Sequence, residues 1–253
     1  PIESTGGFLN ASTGYESTNY WCKVPENHFR TGIEILQDMM QNSLLNEEEI
    51  NSERRVIIEE LKTIEDYPDS KTALNLDKLM WPDSALGRDI AGSIQSVENI
   101  NQETIRAFLD DFYLPTNTVI SIAGNLDHDK SIQSIDQLFL THPFPGSQLK
   151  ISPIENVQNY VKLDLEKRAI EQIHIHLGYP GVSITHPDRY ALDLLNVILG
   201  DGMSSRLFQE IRERLGLVYD IESEITHLQD VGDLRITLAV DKNRYIDAIK
   251  AIL

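Results

Sequence analysis

The sequence predicts an α+β protein built from two related domains with largely antiparallel sheets. Helix-type and strand-type hydrophobic patterns follow one another in the first half of the chain, and both patterns begin again in the second half. Between the halves, residues 143–153 hold three prolines and no periodic pattern, which is typical of an interdomain linker. We therefore predict domains at residues 1–142 and 154–253.

The first predicted elements are two strands in residues 6–24, a segment rich in Thr, Tyr and Ser that breaks near Gly14. Small residues at positions 10–13 leave little bulk over one edge, so an extended peptide could join this edge by strand addition. An ordinary turn-rich hairpin explains the same residues, because a Gly-Gly pair with Asn close behind is common in turns. The sequence leaves both interpretations open.

The clearest helix in the sequence covers residues 46–64. Asn46 is a suitable N-cap, and three glutamates fill the first turn, where the helix dipole favours negative charge. Apolar residues fall on one narrow stripe at about 100° per residue, and this stripe must face a core. The stripe consists of Ile50, Ile57, Leu61 and Ile64.

Two glutamates of this helix, Glu53 and Glu60, are seven residues apart and therefore stand one above the other at the edge of the stripe. One interpretation is that both side chains extend past the stripe into water. The other is that Glu60 binds a metal ion while Glu53 orients another ligand. Glu59 points away toward solvent, and the helix alone does not decide between the two interpretations.

The remaining elements of the first domain follow from the same patterns. Apolar residues at helical spacing predict further helices, and a continuous β-branched run predicts a buried strand. The helices are predicted at residues 25–40, 70–80, 101–112 and 129–139, and the strand at 118–123.

The second domain is predicted to contain four strands, two complete helices and a last helix, DKNRYIDAIKAIL, that is cut off at Leu253. His174 and His176 alternate on one of these strands and face the same side, but no third ligand follows at a suitable spacing. A half-exposed strand therefore explains them better than a metal site. The strands are predicted near residues 159–165, 171–178, 218–226 and 234–240, and the helices at 187–199 and 203–215.

Arg212 and Tyr219 flank a predicted helix end, where Gly216 suits a left-handed C-terminal cap. Because the chain turns there from helix into strand, the two side chains can converge on one point. A fixed guanidinium and a Tyr hydroxyl are suited to polarising a substrate carbonyl or stabilising an oxyanion. Alternatively, Arg212 pairs with a neighbouring acid such as Glu210 or Glu213.

Composition narrows the classes of function. With 40 acidic and 22 basic residues, the formal net charge of −18 argues against nucleic acid or an anionic membrane as partner and suits basic peptides. Cys22 is the only cysteine, so metal ligands would have to be histidines or carboxylates. No apolar run approaches the ~20 residues of a membrane span, and no signal-peptide pattern opens the sequence. We expect a bacterial cytoplasmic protein, with a periplasmic or organellar location left open.

Five separated blocks of sequence resemble the pitrilysin/insulinase family of zinc metallopeptidases, especially its bacterial members and the mitochondrial processing peptidase. They follow the family's order and extend the resemblance from Gly6 to about Val240. The resemblance implies that each domain is an α+β roll and that substrate is enclosed between halves. The blocks are GGFLNASTGYESTNYWCKVP, ERRVIIEEL, LMWPDSALGRDIAGSIQSV, TNTVISIAGNL and GDGMSSRLFQEIRERLGLVY.

The resemblance also implies roles for individual residues. Glu60 matches the third zinc ligand of the family, and Glu53 matches an acid that supports a zinc-binding histidine. An edge strand of the family pairs with substrate, and an arginine and a tyrosine reach the active site from the second domain. These correspond to Leu9, Asn10, Ala11 and Ser12 for the strand, and to Arg212 and Tyr219 for the pair.

One part of the family's site is missing from this sequence. The other two zinc ligands and the general base belong to a His-x-x-Glu-His motif, and none of the seven histidines here has that spacing. We expect the motif upstream of Pro1 and expect both domains to be truncated, the second at Leu253. Zn²⁺ is expected in the full-length parent, whereas this fragment is expected to be inactive because one carboxylate does not hold zinc tightly.

Three functions therefore remain open. The parent is expected to be a zinc metalloendopeptidase acting on extended peptides or unfolded polypeptides, since the implied ligand and substrate-contacting residues occur together. The alternatives are a non-catalytic homologue or partner subunit, which binds peptides or a peptidase subunit, and a metal-free peptide-binding scaffold. A homodimer, a heterodimer and a single long chain are all compatible with the sequence.

Overall fold

The computed structural model describes residues 1–139, 153–154, 158 and 160–253. Within these residues the helices are α1 (Phe29–Gln41), α2 (Glu47–Asp66), α3 (Pro68–Met80), α4 (Ile94–Asn99), α5 (Gln102–Phe112), α6 (His128–Phe139), α7 (Arg189–Leu199), α8 (Tyr245–Ile252) and a π-helix at Phe208–Arg214. The strands are β1 (Phe8–Thr13), β2 (Thr18–Lys23), β3 (Gln172–Pro180), β4 (Val218–His227) and β5 (Gly232–Asp241). All strand pairs described are antiparallel, and the predicted α+β class is confirmed.

The chain forms two compact units, each built from two stretches of sequence. As far as they are described, the first unit comprises Pro1–Ile58 and Ser93–Lys150, and the second comprises Glu59–Gly92 and Ile151–Leu253. This division does not follow chain order, because the residues around α3 group with the second half. The predicted linker at 143–153 lies outside the described residues except for Pro153, and the predicted domain boundaries stay a prediction.

In the first unit, β1 and β2 form a two-stranded sheet, and α1 packs against β2 and α6. Gly32 of α1 permits a close approach, since a Cβ at this position would lie 3.1 Å from the Cys22 Sγ on β2. Tyr20 of β2 and Tyr113 share a hydrogen bond of 2.8 Å between their hydroxyl oxygens. These contacts attach β2 to the helices, so β1 is the outer strand of the two-stranded sheet.

The second unit is organised around a three-stranded sheet in the order β3-β5-β4. One face of this sheet is apolar, and the π-helix and α8 pack against it. Ile211 of the π-helix and Ala248 of α8 are fully buried there. The core on this face consists of Leu207, Ile211, Leu217, Val218, Ile221, Ile236, Leu238, Val240 and Ala248.

Helix α3 covers β3 on the opposite face of the same sheet. Gly178 makes room for it, because a Cβ there would lie 2.5 Å from the Met80 Sδ. Arg235 of β5 donates hydrogen bonds to Asp233 at 2.7 Å and to Asp77 of α3 at 2.6 Å, and both carboxylates are buried. Burial raises the pKa of Asp233, and the Arg235 guanidinium opposes that shift. A buried, charged contact therefore fastens α3 to the sheet.

Two of the predicted strands do not form. Residues 118–123 and 160–165 have no strand partner within the described part of the chain, and their apolar side chains are exposed, with Val119 at 93% and Val161 at 90%. β-Branched residues favour an extended backbone, but a strand also requires a neighbour that satisfies its N–H and C=O groups. The sequence pattern reports the first condition and not the second.

Candidate functional site

Helix α2 forms as predicted, but exposure does not separate Glu53 and Glu60 from Glu59 as the sequence analysis expected. Leu61 is buried, whereas Glu53, Glu59 and Glu60 are exposed. Glu59 accepts a hydrogen bond of 2.7 Å from Lys62 Nζ and forms an ion pair with it. Among the described residues, neither Glu53 nor Glu60 has a hydrogen bond or ion pair, so both carboxylates are free to bind a ligand.

Arg54 anchors this helix beside Glu53. Its Nε donates to the Val97 carbonyl oxygen at 3.2 Å, and its Nη2 donates to the Ile100 carbonyl oxygen at the end of α4. Charge-assisted hydrogen bonds to two carbonyl groups restrain the rotation of α2 about its axis. The direction in which Glu53 and its neighbours project is therefore fixed by contacts outside the helix.

The β1 strand offers an open edge, because its only strand partner in the described chain is β2. The Gly14 N–H donates to the Ser17 carbonyl oxygen at 2.8 Å and closes the hairpin. Hydrogen-bonded pairs alternate along an antiparallel ladder, so Asn10 and Ser12 direct their backbone groups toward β2. Leu9 and Ala11 direct theirs away from the hairpin, toward the open edge.

The outward N–H of Ala11 already has an acceptor. The Asn10 side chain bends back so that its Oδ1 accepts this N–H at 2.8 Å. A peptide strand that paired with this edge would have to replace the Asn10 oxygen by one of its own carbonyl groups. Of the four predicted edge residues, Leu9 and Ala11 thus supply backbone groups, while Asn10 supplies a side chain that competes for one of them.

The structure brings Arg212 and Tyr219 together. The guanidinium carbon of Arg212 lies 5.5 Å from the centre of the Tyr219 ring and 4.4 Å from the centre of the Phe208 ring. Tyr219 is 80% exposed, and so its hydroxyl group is accessible. Neither residue has a hydrogen bond or ion pair to Glu60 among the described contacts.

Of the two neighbouring acids predicted as alternative partners of Arg212, only Glu213 contacts it. Arg212 Nη1 donates to Glu213 at 3.4 Å, which is a long hydrogen bond. Glu210 is engaged by Arg214, whose Nε donates to it at 2.6 Å, and the Arg214 guanidinium lowers the pKa of this carboxyl group. Glu210 is therefore not the partner of Arg212.

Unusual backbone geometry surrounds this pair on both sides. Arg212 lies in the π-helix, a form that is rare and occurs frequently at functional sites. Gly216 has the predicted left-handed conformation, with a φ of 55°. Beyond it a β-bulge interrupts β4, since three steps along β4 from Val218 to Ile221 match only two steps along β5. The extra residue lets Val218 and Ile221 both face the core while Tyr219 points outward.

His174 and His176 face α3, where they meet Asp69. The Asp69 Oδ1 lies 3.0 Å from the His176 Nε2 and 3.6 Å from the His174 Nδ1. The described residues nevertheless contain no group of three or more His, Cys, Asp or Glu side chains placed to hold a metal ion. Both histidines are covered by α3, and the His176 side chain is only 5% exposed, so this face of the strand is more buried than the half-exposed strand expected from the sequence.

Comparison with known families decides the identity of the fold. Residues 1–93 match the family model described as insulinase (peptidase family M16), and residues 99–253 match the model described as the peptidase M16 inactive domain. The chain belongs to peptidase family M16. The resemblance to the insulinase family is thus confirmed.

The curated relatives of this M16 chain are named as zinc proteases. An uncharacterized zinc protease of Streptomyces coelicolor is 34% identical over 254 residues, which covers 98% of this chain and 55% of the relative. The uncharacterized zinc protease YmxG of Bacillus subtilis is 35% identical over 235 residues, which covers 93% of this chain and 56% of YmxG. The M16 chain therefore spans about half the length of these relatives.

Solved structures support the same fold. A protease from Helicobacter pylori has a TM-score of 0.86 and 21% identity, covering 98% of the M16 chain and 62% of that protein. A chain of complex III2 from Candida albicans has a TM-score of 0.78 and 17% identity, covering 94% of the M16 chain and 58% of the other. The M16 fold therefore occurs both in a protease and in a subunit of a larger complex.

Zinc, which the relatives' names imply, fits this M16 chain only in part. Glu60 supplies one unpaired carboxylate, an accepted zinc donor, on an anchored helix. Since the described residues lack a three-donor group, the further ligands would have to come from elsewhere in the protein. A separate question is whether the chain has a membrane-spanning helix. Among the described residues, none of the helices combines the length and the apolar character that a membrane span needs.

Several features of the candidate site could not be predicted from the sequence. The hydrogen bond from Ala11 to Asn10, the π-helix and the β-bulge have no signature in hydrophobic periodicity. The contact between Phe208 and Arg212 could have been predicted from the sequence, because residues four apart on a helix are neighbours. An aromatic residue at that spacing from a candidate functional arginine indicates a stacking partner.

Proposed function

We propose that the full-length protein is a zinc metalloendopeptidase that hydrolyses peptide bonds in extended peptides or unfolded polypeptides. The observation that carries this proposal is the unpaired carboxylate of Glu60, beside a Glu59 that is paired with Lys62. Membership of family M16 and relatives named as zinc proteases support it. The zinc ion would be shared between Glu60 and ligands supplied by other residues of the full-length protein.

The residues of this chain would have distinct roles in that reaction. Glu60 would bind zinc, which lowers the pKa of a coordinated water toward about 7. Glu53, about 10 Å away along the helix axis, would hold a zinc-binding histidine in its productive orientation. Two free carboxylates on one anchored helix support this division of roles.

Substrate binding would use the β1 edge and the Arg212–Tyr219 pair. An extended peptide would pair with the outward backbone groups of Leu9 and Ala11, and the side chains of Asn10 and Ser12 would lie beside that ladder. The guanidinium edge of Arg212 and the hydroxyl group of Tyr219 would donate hydrogen bonds to the substrate carbonyl oxygen. Such donors stabilise the negative charge that develops on this oxygen during hydrolysis.

Replacing Glu60 tests the zinc assignment. In the full-length protein, Glu60→Gln should weaken zinc binding by at least roughly 10- to 100-fold, which is the loss observed for residues that only support a ligand. Zinc content after dialysis and the rate of peptide hydrolysis should fall together. Glu59→Gln is the matched control and should leave both unchanged. Unaltered zinc content and activity in Glu60→Gln would remove this residue from the site.

A second candidate is a non-catalytic homologue that binds peptides or a peptidase subunit. One observation favours it: residues 99–253 match the family model described as the peptidase M16 inactive domain. A His-x-x-Glu-His motif elsewhere in the full-length sequence would support the peptidase. Its absence, combined with peptide binding in the presence of a chelator, would support the second candidate.

A further inference from the structure

The most constrained contact of Arg212 is with an aromatic ring and not with an acid. Phe208 is only 8% exposed, and the Arg212 guanidinium carbon lies 4.4 Å from its ring centre, within the ~6 Å range of a cation–π interaction. The second ring, Tyr219, is farther away at 5.5 Å and is largely exposed. Of the two rings beside Arg212, Phe208 is therefore the closer and the buried one.

We propose that Phe208 is a positioning residue that holds the guanidinium of Arg212 in place for substrate. A guanidinium group stacks through its planar face and donates hydrogen bonds through its edge. Contact of the Arg212 guanidinium with the Phe208 ring, at 4.4 Å from the ring centre, therefore restrains the group without occupying the N–H groups that a carbonyl oxygen would need. The ion pair of Arg212 with Glu213, at 3.4 Å, also restrains the group, but it occupies one of those donors, Nη1.

The neighbouring acids Glu210 and Glu213 hold the Arg212 guanidinium less closely than the Phe208 ring does. Glu210 is bound by Arg214, and the hydrogen bond from Arg212 to Glu213 is long at 3.4 Å. The Arg212 side chain keeps 31% of its surface accessible, so solvent still reaches it. With one weak hydrogen bond and one close ring, the orientation of the guanidinium depends mainly on the ring.

The backbone holds Phe208 and Arg212 in a fixed relation. Both lie in the π-helix, which Ile211 anchors in the core with no exposed surface. The Leu217 N–H donates to the Ile211 carbonyl oxygen at 3.0 Å and ties the end of the π-helix to the start of β4. Phe208 and Arg212 therefore lie on a segment that is held both by the core and by a backbone hydrogen bond, as a positioning role requires.

Nuclear magnetic resonance of the full-length protein with labelled arginine tests the stack directly. In the wild type, the Arg212 Nε–Hε signal should be shifted upfield by the ring and more ordered than that of the exposed Arg55. Phe208→Leu should abolish both effects, and Phe208→Tyr, which retains the ring, should keep them. Ile211→Val is the matched control: it perturbs the same core but should leave the signal in place.

A kinetic measurement tests the consequence, which rests on the proposed peptidase function. Phe208→Leu should lower kcat by roughly 3- to 30-fold with KM little changed, as expected if Arg212 acts on the transition state, and Phe208→Tyr should restore most of it. An inactive wild type would refute the peptidase, and the magnetic resonance result would still decide the positioning role. A mobile, unshifted Arg212 signal in the wild type, or an unchanged signal in Phe208→Leu, would overturn the proposal.

Discussion

The substitution Ala11→Pro tests the open edge of β1 without disturbing the hydrogen bonds between β1 and β2. The Ala11 N–H points away from β2 and is bonded only to the Asn10 side chain, at 2.8 Å. Proline lacks an N–H group and is tolerated on edge strands when that group would face outward. Ala11→Pro should therefore leave the β1–β2 ladder intact while removing one donor from the proposed peptide-binding edge.

The size of the effect follows from the same hydrogen bond. A net protein hydrogen bond contributes about 0.5–1.5 kcal/mol, which corresponds to a loss of roughly 2- to 12-fold in affinity. In the free protein the Ala11 N–H is already satisfied by Asn10, so peptide binding exchanges one acceptor for another. We therefore expect a value in the lower half of this range.

Fluorescence anisotropy with a labelled, uncleaved extended peptide and the full-length protein is the appropriate assay. Ala11→Gly is the matched control, because it removes the methyl group but keeps the N–H, and it should bind like the wild type. Ser12→Pro should behave differently from Ala11→Pro: the Ser12 N–H faces β2, so its loss should weaken the hairpin and lower Tm. Each 1 kcal/mol lost lowers Tm by about 2–4 °C in a chain of this size.

Two results would refute this reasoning. Wild-type affinity in Ala11→Pro would show that peptides do not pair with this edge. Unchanged Tm in Ser12→Pro together with lost binding would show that the ladder has the opposite register.

The remaining predictions concern the second unit. Asp77→Ala removes a buried acceptor 2.6 Å from Arg235 and should lower the free energy of unfolding by about 1.5–3 kcal/mol, measured by urea denaturation, whereas a change within error would contradict the buried contact. Hydrogen bonding to Lys71, together with Arg168, lowers the pKa of Glu65 below its ordinary value of 4.5. A depressed acid pKa stabilises the fold above the unfolded pKa, so this contribution should disappear as the pH falls below 4.5 through the folded pKa. Glu65→Gln should show a smaller fall in Tm between neutral and acidic pH than the wild type, and equal falls would contradict the assignment.

Elements whose structure depends on local chemistry could be predicted from the sequence. The cap, acidic first turn and apolar stripe of α2 agree on one helix, and the structure contains it at Glu47–Asp66. The left-handed Gly216 and the convergence of Arg212 with Tyr219 were also predicted, because the end of a helix and the start of a strand are both encoded within a few residues.

Features that depend on distant neighbours could not be predicted in this way. The run at 118–123 has the composition of a buried strand, but no strand lies beside it in the described chain. Alternation in β1 indicates which side chains share a face, whereas the hydrogen-bonding direction of each residue depends on the pairing with β2. The contact between Asp77 and Arg235 joins residues 158 positions apart, which no local pattern reveals.

That contact has a practical consequence for anyone who wishes to express part of the gene. A recombinant piece beginning at residue 154 would lack α3, so Arg235 would lose the Asp77 acceptor and the sheet would lose the cover of Leu76 and Met80 beside Gly178. A piece beginning near Glu59 and running without interruption to Leu253 would retain all of these groups. A cloning boundary placed at the domain boundary predicted from the sequence would thus expose one face of the β3-β5-β4 sheet and leave the Arg235 guanidinium without its Asp77 partner.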